Sequence, residues 1–533
     1  MDGLYPYQER VYQHLMAGKN VIVQAPTGAG KTLAALYPYF DNLNQFSEDE
    51  YNPASPLPLT CRYAVPMRVL ATQFEREFHD CFSRLDRKRG TRLIDRYTKQ
   101  LGIKVPAIQT GETPEDSRFE SPLTFCTIDQ LLASFIGTPY TLGFKQANLN
   151  VGAVVGSYLI LDEFHLYPLD EQSNGARMTT LAMLQLLAGL SRFVLMTATF
   201  STKLLEQLGK LLNAEIVRVE DTAELASIMR GRARMIRQAK DPMTPEAILT
   251  AHDAARKRGA GASLVVCNTV ARAQDVYLRL RTALEEQGRQ GTTRLILLHS
   301  RFISEDRQAK SKDLEEWLGD KQWNDGQFQG PDTIVVGTQV VEVGLNISCG
   351  VLHTELAPAN SLIQRAGRCA RFRQQQGEVI VYPIAPRDDG QVSYRPYNPE
   401  ICESTWNHLS QMIEAGGEPL LSFGFPEEQT LIDAVHTAED ERMLEQFKRY
   451  EGQIKQTVME VLTTHEQGKE GMLIRNVRQT AVLIHPTPEE SITTKPFTWE
   501  SFGLHPGTLM GAWKNLDERH QALGFDAPGW VMK

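Results

Sequence analysis

The stretch that decides the fold is Asn20–Thr32, NVIVQAPTGAGKT. Its first half, Val21–Val23, is aliphatic and β-branched and predicts a buried strand. A turn with Gly28 and Gly30 follows, and Lys31 and Thr32 open a helical segment. A strand, a glycine-rich loop and a helix in that order form the first unit of a parallel sheet with crossover helices. Glycines let backbone N–H groups approach phosphate oxygens, and the helix N-terminus adds its dipole. In this pattern Lys31 meets the β- and γ-phosphates and Thr32 holds Mg²⁺, with Thr27, Gly28, Ala29 and Gly30 as the cradle. One position departs from G-x-x-x-x-G-K-[ST]: Ala25 stands at the first glycine.

Outward from this unit, short aliphatic runs alternate with amphipathic stretches over the first ~215 residues. Expected strands are NVIVQA, RYAVP, LTFCT, YLILDE and FVLMTAT. Residues 216–245 change character and read as a connector. A second alternating set follows, ASLVVCN, RLILLHS, TIVVGT, GVLHTE and EVIVYP. After 385, PRDDGQVSYRPYNPE is rich in Pro, Asp and Gly and marks another boundary. The remainder is helical by pattern, with one strand-like run, QTAVLIHP. The fold class is α/β, with two tandem parallel-sheet lobes at 1–215 and 246–385 and a smaller, mainly helical C-terminal domain at 386–533.

One of those strands ends unusually. In YLILDEFHLYP, Tyr158–Pro168, a strand buried on both faces runs straight into Asp162 and Glu163, with His165 close behind. Burying an unpaired charge costs several kcal/mol. A phosphate-loop ATPase places such a pair beside its nucleotide, Asp162 reaching the Mg²⁺ shell and Glu163 polarising the attacking water. His165 is not needed for that chemistry and reads by itself as a histidine with its hydrogen bonds met.

Composition narrows the class. The chain has 533 residues, enough for about two to four domains. No apolar run approaches the roughly 20 residues of a membrane span, and the acidic start is not that of a signal peptide. Seven cysteines without a C-x-x-C pair argue against a disulfide framework and a thiolate zinc site, and for the cytoplasm. The net charge of −9 is not that of a protein coating duplex DNA. Two basic runs, Arg84–Lys99 and Arg230–Lys240, are either solvated surfaces or phosphate-contacting stripes.

Further motifs occur in a telling order. Asp162-Glu163-Phe164-His165 resembles the D-E-x-H box of superfamily 2 helicases, and MTATFS, Met196–Ser201, resembles the motif that couples their ATP and nucleic-acid sites. YAVPMRVLATQ is similar to their motif Ia, VVGTQVVEVGLNIS to motif five and SLIQRAGRCAR to the arginine-finger motif. Tyr5, Tyr7 and Gln8 fit a Q-motif that clamps adenine. The resemblance implies two RecA-like domains binding ATP and Mg²⁺, with Thr32 and Asp162 on the metal, Lys31, Asp162 and Glu163 in one lobe, and Gln364, Arg368 and Arg371 supplied across a cleft. It implies nucleotide contacts from Tyr5, Gln8, Gly344 and Asn346, and coupling through His165, Thr197 and Thr199. Strand-phosphate contacts would come from Arg68, Thr110, Gly111 and Thr127 in the first lobe, and from Asn268, Thr269, His299, Ser300, Arg301 and Thr338 in the second. Small polar groups and loop amides hold phosphates without a basic protein.

LLHSRF, TQVVEVGLNIS and SLIQRAGRCAR together resemble the signature helicase of type I CRISPR interference. That resemblance implies an ATP-driven 3′-to-5′ translocase on single-stranded DNA, recruited to an RNA-guided surveillance complex. It covers 1–385 well and the C-terminal part loosely, through FTWESFGLHPGTLMGAW. Asn346 stands where motif five usually has an acid. The family's histidine–aspartate nuclease domain has no counterpart here. The only His-Asp pairs are His79-Asp80 and His252-Asp253, each expected on a helix surface. The expectation is a helicase subunit without nuclease activity, served by a separate HD-type nuclease. Two alternatives stay open: a generic D-E-x-H helicase of repair or RNA metabolism, and an ATP-gated clamp or scaffold.

Overall fold

A computed structural model describes residues 4–45, 55–67, 71, 96–111, 113–142, 144–168, 175–342, 344–386, 390–417, 419–464, 473–474, 480–483 and 501–504. Every strand expected in the two lobes is present. The first sheet comprises β1 (Asn20–Gln24), β2 (Cys61–Val65), β3 (Ala107–Gln109), β4 (Leu123–Thr127), β5 (Tyr158–Leu161), β6 (Phe193–Thr197) and β7 (Ala214–Arg218), in the order β3-β4-β2-β5-β6-β1-β7. All its pairings are parallel. The second sheet holds β8 (Ala233–Gln238), β9 (Ala262–Val266) and β10 (Arg294–Leu298). A small hairpin of β11 (Trp323–Asn324) and β12 (Gln327–Phe328) stands apart from it. The sheet is completed by β13 (Thr333–Gly337), β14 (Val351–Glu355), β15 (Gln376–Tyr382) and β16 (Leu421–Ser422). Its order is β10-β13-β9-β14-β15-β8-β16, parallel except for β16.

The alternation of side chains explains the aliphatic runs. Ile22, Leu159 and Leu161 enter a core on one face of the first sheet, while Val21, Val23, Tyr158 and Ile160 enter the core on the other. Strands buried on both faces lose the polar half of the period-two pattern. The second sheet does the same, with Leu264 and Val266 on one face and Val265 on the other.

Three features differ from the sequence expectation. The stretch 216–245 is not only a connector, since β7 closes the first sheet and β8 joins the second. Those strands are half-buried at most positions, and the arginines of β8 hide its apolar signal. The C-terminal region is not a separate body in its described part. Its helix Phe425–Thr464 places Leu431, Ile432 and Val435 in a core of the second lobe and Met443, Phe447 and Val458 in a core of the first. His252 is not on a helix surface. It is fully buried, bonded to Ser263 Oγ at 2.8 Å and Asp332 Oδ1 at 2.7 Å. It occupies the apolar stripe of its helix with Ile248, Leu249 and Ala255. His79 lies outside the described residues, as do Arg68 and most of the first basic run. QTAVLIHP contains Thr480–Leu483, a strand paired with Ser501–Leu504. Among the described residues six cysteines are free and buried, and no helix is long and apolar enough to cross a membrane.

Candidate nucleotide site between the lobes

The loop after β1 turns through Gly28 and Gly30, with φ of 76° and 82°, a region open to glycine at little cost. The helix Lys31–Gln45 starts at its end. Lys31 is buried, and its ammonium donates to the Ala25 and Pro26 carbonyls at 3.2 and 3.4 Å. The helix Pro6–Met16 braces the loop. Tyr7 Oη donates to the Ala29 carbonyl at 2.8 Å and the Gln8 amide to Gly30 at 3.0 Å. Gln8 Oε1 accepts from the Tyr5 backbone at 2.9 Å. Both ends of the Gln8 amide therefore hold the loop and its own helix start. Tyr5 lies beneath the Arg230 guanidinium, 5.6 Å from the ring centroid.

Asp162 and Glu163 follow β5 on the same sheet edge. Asp162 accepts from Tyr63 Oη at 2.6 Å and from the Glu163 backbone at 2.9 Å. Burial first, and the neighbouring Glu163 second, push its carboxyl up to about 7. Glu163 sits in the left-handed region at φ 47°, a strained position of the sort that gathers at functional sites. Its Oε2 is buried without a hydrogen bond, with His165 Nδ1 3.5 Å away. His165 Nδ1 also meets Thr197 Oγ1 at 3.2 Å, and Thr197 Oγ1 accepts from the Thr199 backbone at 3.3 Å. His165 Nε2 accepts from the Gln364 amide. Nε2 is then the acceptor and Nδ1 carries the proton. Burial pulls the imidazole down to about 4, so it is neutral at pH 7.

That last bond crosses the lobes. Gln364 lies on the helix Ala359–Ala366, which follows β14. A Cβ on Gly367 would stand 3.2 Å from Thr27 Cγ2, so the second lobe comes close to the phosphate loop there. Arg371 lines the cleft there with Pro26 and Thr27. Its Nε donates to Asn346 Oδ1 at 3.1 Å, so the residue that replaces the usual acid orients an arginine. Arg368 behaves differently. It donates to the Val341 and Leu345 carbonyls at 3.0 and 2.6 Å and to that of Glu342. It shapes the loop that carries Gly344 and Asn346. Burial lowers its pKa to about 9, and Glu163 is close enough for its charge to act against that.

Sequence reasoning missed Arg365. It is fully buried, pairs with Glu342 at 2.8 Å and donates to Thr354 at 2.8 Å and to Tyr397 Oη at 2.8 Å. An arginine beside two expected functional arginines was the available signal.

The strand-phosphate candidates gather elsewhere, at the carboxyl ends of β3, β4, β9, β10 and β13, away from β1 in the sheet order. Gly111, Ser300 and Arg301 are exposed there, and Thr269 is half-buried. Thr110, Thr127, Asn268, His299 and Thr338 are buried. Asn268 donates to the Leu356 carbonyl at 2.8 Å, and His299 stacks on Phe302 at 4.4 Å. In the second basic run Arg230 and Lys240 are exposed and the other arginines are partly buried. Arg230 meets Tyr5, Arg232 enters the nucleotide cleft, and Arg234 and Arg237 pair with Glu428 and Glu378.

A DEAD/DEAH box helicase family model matches residues 5–208. A CRISPR-associated nuclease/helicase Cas3 C-terminal model matches residues 259–374. The chain is thus similar to DEAD/DEAH box helicases in its first part and to Cas3 proteins in its second. The CRISPR-associated endonuclease/helicase Cas3 of Thermus thermophilus is 27% identical over 454 residues, covering 73% of this chain and 48% of its own. A crystal structure of T. fusca Cas3 with ATP superposes with a TM-score of 0.60 at 19% identity, covering 86% of this chain and 55% of that one. A chain of a CRISPR RNA-guided surveillance complex, pre-nicking, gives 0.55 at 19% identity, covering 90% and 58%. The chain spans about half the length of the curated Cas3 relatives it matches. At such identities the solved structures establish the fold alone.

The donors at this site fit magnesium with a nucleotide. Asp162 is a carboxylate whose burial outweighs the pull of the nearby Lys31 charge, and Tyr63 links it to Thr32. Among the described residues no three His, Cys, Asp or Glu side chains converge. Magnesium bound through one or two protein oxygens, with phosphates and water completing its shell, needs no such cluster.

Proposed function

We propose that this chain hydrolyses ATP to drive 3′-to-5′ movement along single-stranded DNA in type I CRISPR interference. It would be recruited to an RNA-guided surveillance complex, with the nuclease on another chain. The single observation that carries the motor reading is the hydrogen bond from Gln364 of the second lobe to His165 of the first. It links the acid pair, the Thr197–Thr199 segment and the second lobe in one cleft. Thr32 and Asp162 would hold magnesium, which when bound neutralises charge on the phosphate oxygens. Lys31 would exchange its two loop carbonyls for phosphate oxygens. Glu163 would orient the attacking water and take its proton through the unbonded Oε2. Arg371, held by Asn346, would stabilise charge on the phosphoryl being transferred. Neutral His165 can signal which lobe arrangement is present, because its Nε2 acceptor is satisfied only while Gln364 is in reach. Nucleic acid spanning the ends of β3, β4, β9, β10 and β13 would favour the closed arrangement and so speed turnover. The names of the Cas3 relatives and of the surveillance complex support the CRISPR assignment.

The test is steady-state ATPase with single-stranded DNA, duplex DNA or RNA, together with displacement of streptavidin from either end of a biotinylated strand. Stimulation by single-stranded DNA with displacement from the 5′ end is expected. Turnover indifferent to every nucleic acid would sink the motor.

A further inference from the structure

The segment Arg230–Arg234 reads RGRAR, and its middle arginine goes where no helicase motif would send it. Arg232 precedes β8, in the stretch between the two sheets, yet it lines the cleft with Pro26, Thr27 and Arg371. A Cβ built on Gly28 would lie 3.1 Å from one terminal guanidinium nitrogen of Arg232. That nitrogen donates to the Arg371 carbonyl at 2.7 Å, and Nε donates to Met229 at 2.9 Å. The group is therefore aimed at the phosphate loop and fixed by carbonyls on both sides.

Its charge is not met by those partners. Among the described residues Arg232 forms no ion pair, whereas Arg234 is paired with Glu428. Burial, with Arg234 and Arg371 as cationic neighbours, outweighs the nearby Glu428 charge and pulls the Arg232 guanidinium down to about 10. Carbonyls orient a cation but do not neutralise it. A half-buried guanidinium packed against a glycine of a phosphate loop and flanked by like charge calls for a polyanion.

We propose that Arg232 is a third cationic ligand of the nucleotide's phosphates, alongside Lys31 and Arg371, and that it comes from the connecting segment rather than from either lobe's motifs. The proposal rests on the cleft being a nucleotide site. It makes the connector a direct reader of phosphate, since Arg232 also bonds the backbone of Arg371.

The experiment measures affinities of ATP, ADP and AMP by competition with a fluorescent ATP analogue, using wild type, Arg232→Gln and Arg232→Lys. Loss of one charge-assisted hydrogen bond weakens binding by about 10-fold or more. ATP and ADP should lose at least that in Arg232→Gln, with AMP changed by less than about twofold, because AMP lacks the phosphates that the loop enfolds. Arg232→Lys should recover part of the ATP affinity through its charge. Should Arg232→Gln fail to fold, the ATP-to-AMP ratio in Arg232→Lys decides by the same criterion. Equal losses for ATP and AMP would mark a merely structural arginine and overturn the proposal. Unchanged ATP affinity beside normal wild-type binding would overturn it alone. A wild type that binds no ATP would remove the nucleotide site and the proposal together.

Discussion

Asp162 shows how a residue at a candidate site can be unfavourable for folding. Its folded carboxyl titrates near 7, well above the ordinary carboxylate value. Between those values the folded state holds a proton that the unfolded state has lost. The sign follows: stability falls as pH rises from about 4 to 7, and the loss persists above that. Asp162→Asn keeps an acceptor for Tyr63 and removes the charge. It should raise the melting temperature of the nucleotide-free protein at pH 8 by about 2 °C or more, and the gain should vanish near pH 4. The same variant should lose magnesium-dependent turnover. A lower melting temperature at pH 8 would count against the raised carboxyl. Glu163→Gln should retain ATP binding while turnover drops by about 10²–10⁴, whereas Lys31→Ala should lose binding and turnover together. Separate measurements of nucleotide affinity and phosphate release distinguish them. Substantial turnover by Glu163→Gln would remove its assignment as the base. The positions of Lys31, Asp162 and Glu163 at the ends of buried strands were legible in the sequence because each follows from a strand–loop context. The inward turn of Arg368 was not, since spacing in a motif does not say which carbonyls a guanidinium will find.

At the scale of elements, the helix Phe425–Thr464 does more than extend the C-terminal region. Asp433 accepts from the Thr202 backbone and hydroxyl at 2.7 and 2.9 Å, and Asp440 accepts from the Ser201 backbone at 3.1 Å. Two acids thus sit at the N-terminus of the helix Thr202–Leu212, where the helix dipole favours negative charge. Farther along, Gln429 reaches Gln24 at 2.7 Å, and His436 Nε2 accepts from the Asn360 backbone at 3.3 Å. Asn360 and Gln364 lie one turn apart on the helix Ala359–Ala366, so that helix is held by His165 from one side and His436 from the other. The long helix is a strut across the cleft. Asp433→Ala should destabilise the protein by about 1–2 kcal/mol through loss of a cap. It should also lower nucleic-acid-stimulated turnover several-fold more than basal turnover. Denaturant unfolding and ATPase titrations with single-stranded DNA check both parts, and equal losses of basal and stimulated rates would leave the helix a structural brace only. None of this was legible beforehand, because the helix has a mixed pattern that serves two cores rather than one amphipathic stripe.

For the whole molecule, the question is whether the proposed motor also cuts. The adjacent carboxylates Asp162 and Glu163 face the nucleotide cleft, and His252 is committed to Ser263 and Asp332 inside the second lobe. Two-metal phosphodiester cleavage needs metals about 3.5–4 Å apart held by converging ligands. Incubation of single-stranded circular DNA with Mg²⁺, Mn²⁺, Co²⁺ or Ni²⁺, with and without ATP, should therefore leave the circles intact. Adding an HD-type nuclease with a target-bound surveillance complex should restore degradation. Metal-dependent nicking that co-purifies with the chain and disappears in a His79 variant would overturn the division of labour.

The sequence by itself determined the local units: which runs form buried strands, where the phosphate loop turns, and where the acids stand. Those depend on side-chain period, glycine and short-range order, and all three are written along the chain. Tertiary structure alone decided which groups from beyond the first lobe meet its candidate nucleotide site. Gln364 on His165, Gly367 against Thr27 and Arg232 beside Gly28 join residues about 200 or 340 positions apart, and such contacts follow from how two sheets face each other. It also decided that two acids of a C-terminal helix would cap a lobe-one helix, because a free helix start accepts any carboxylate that packing brings within reach.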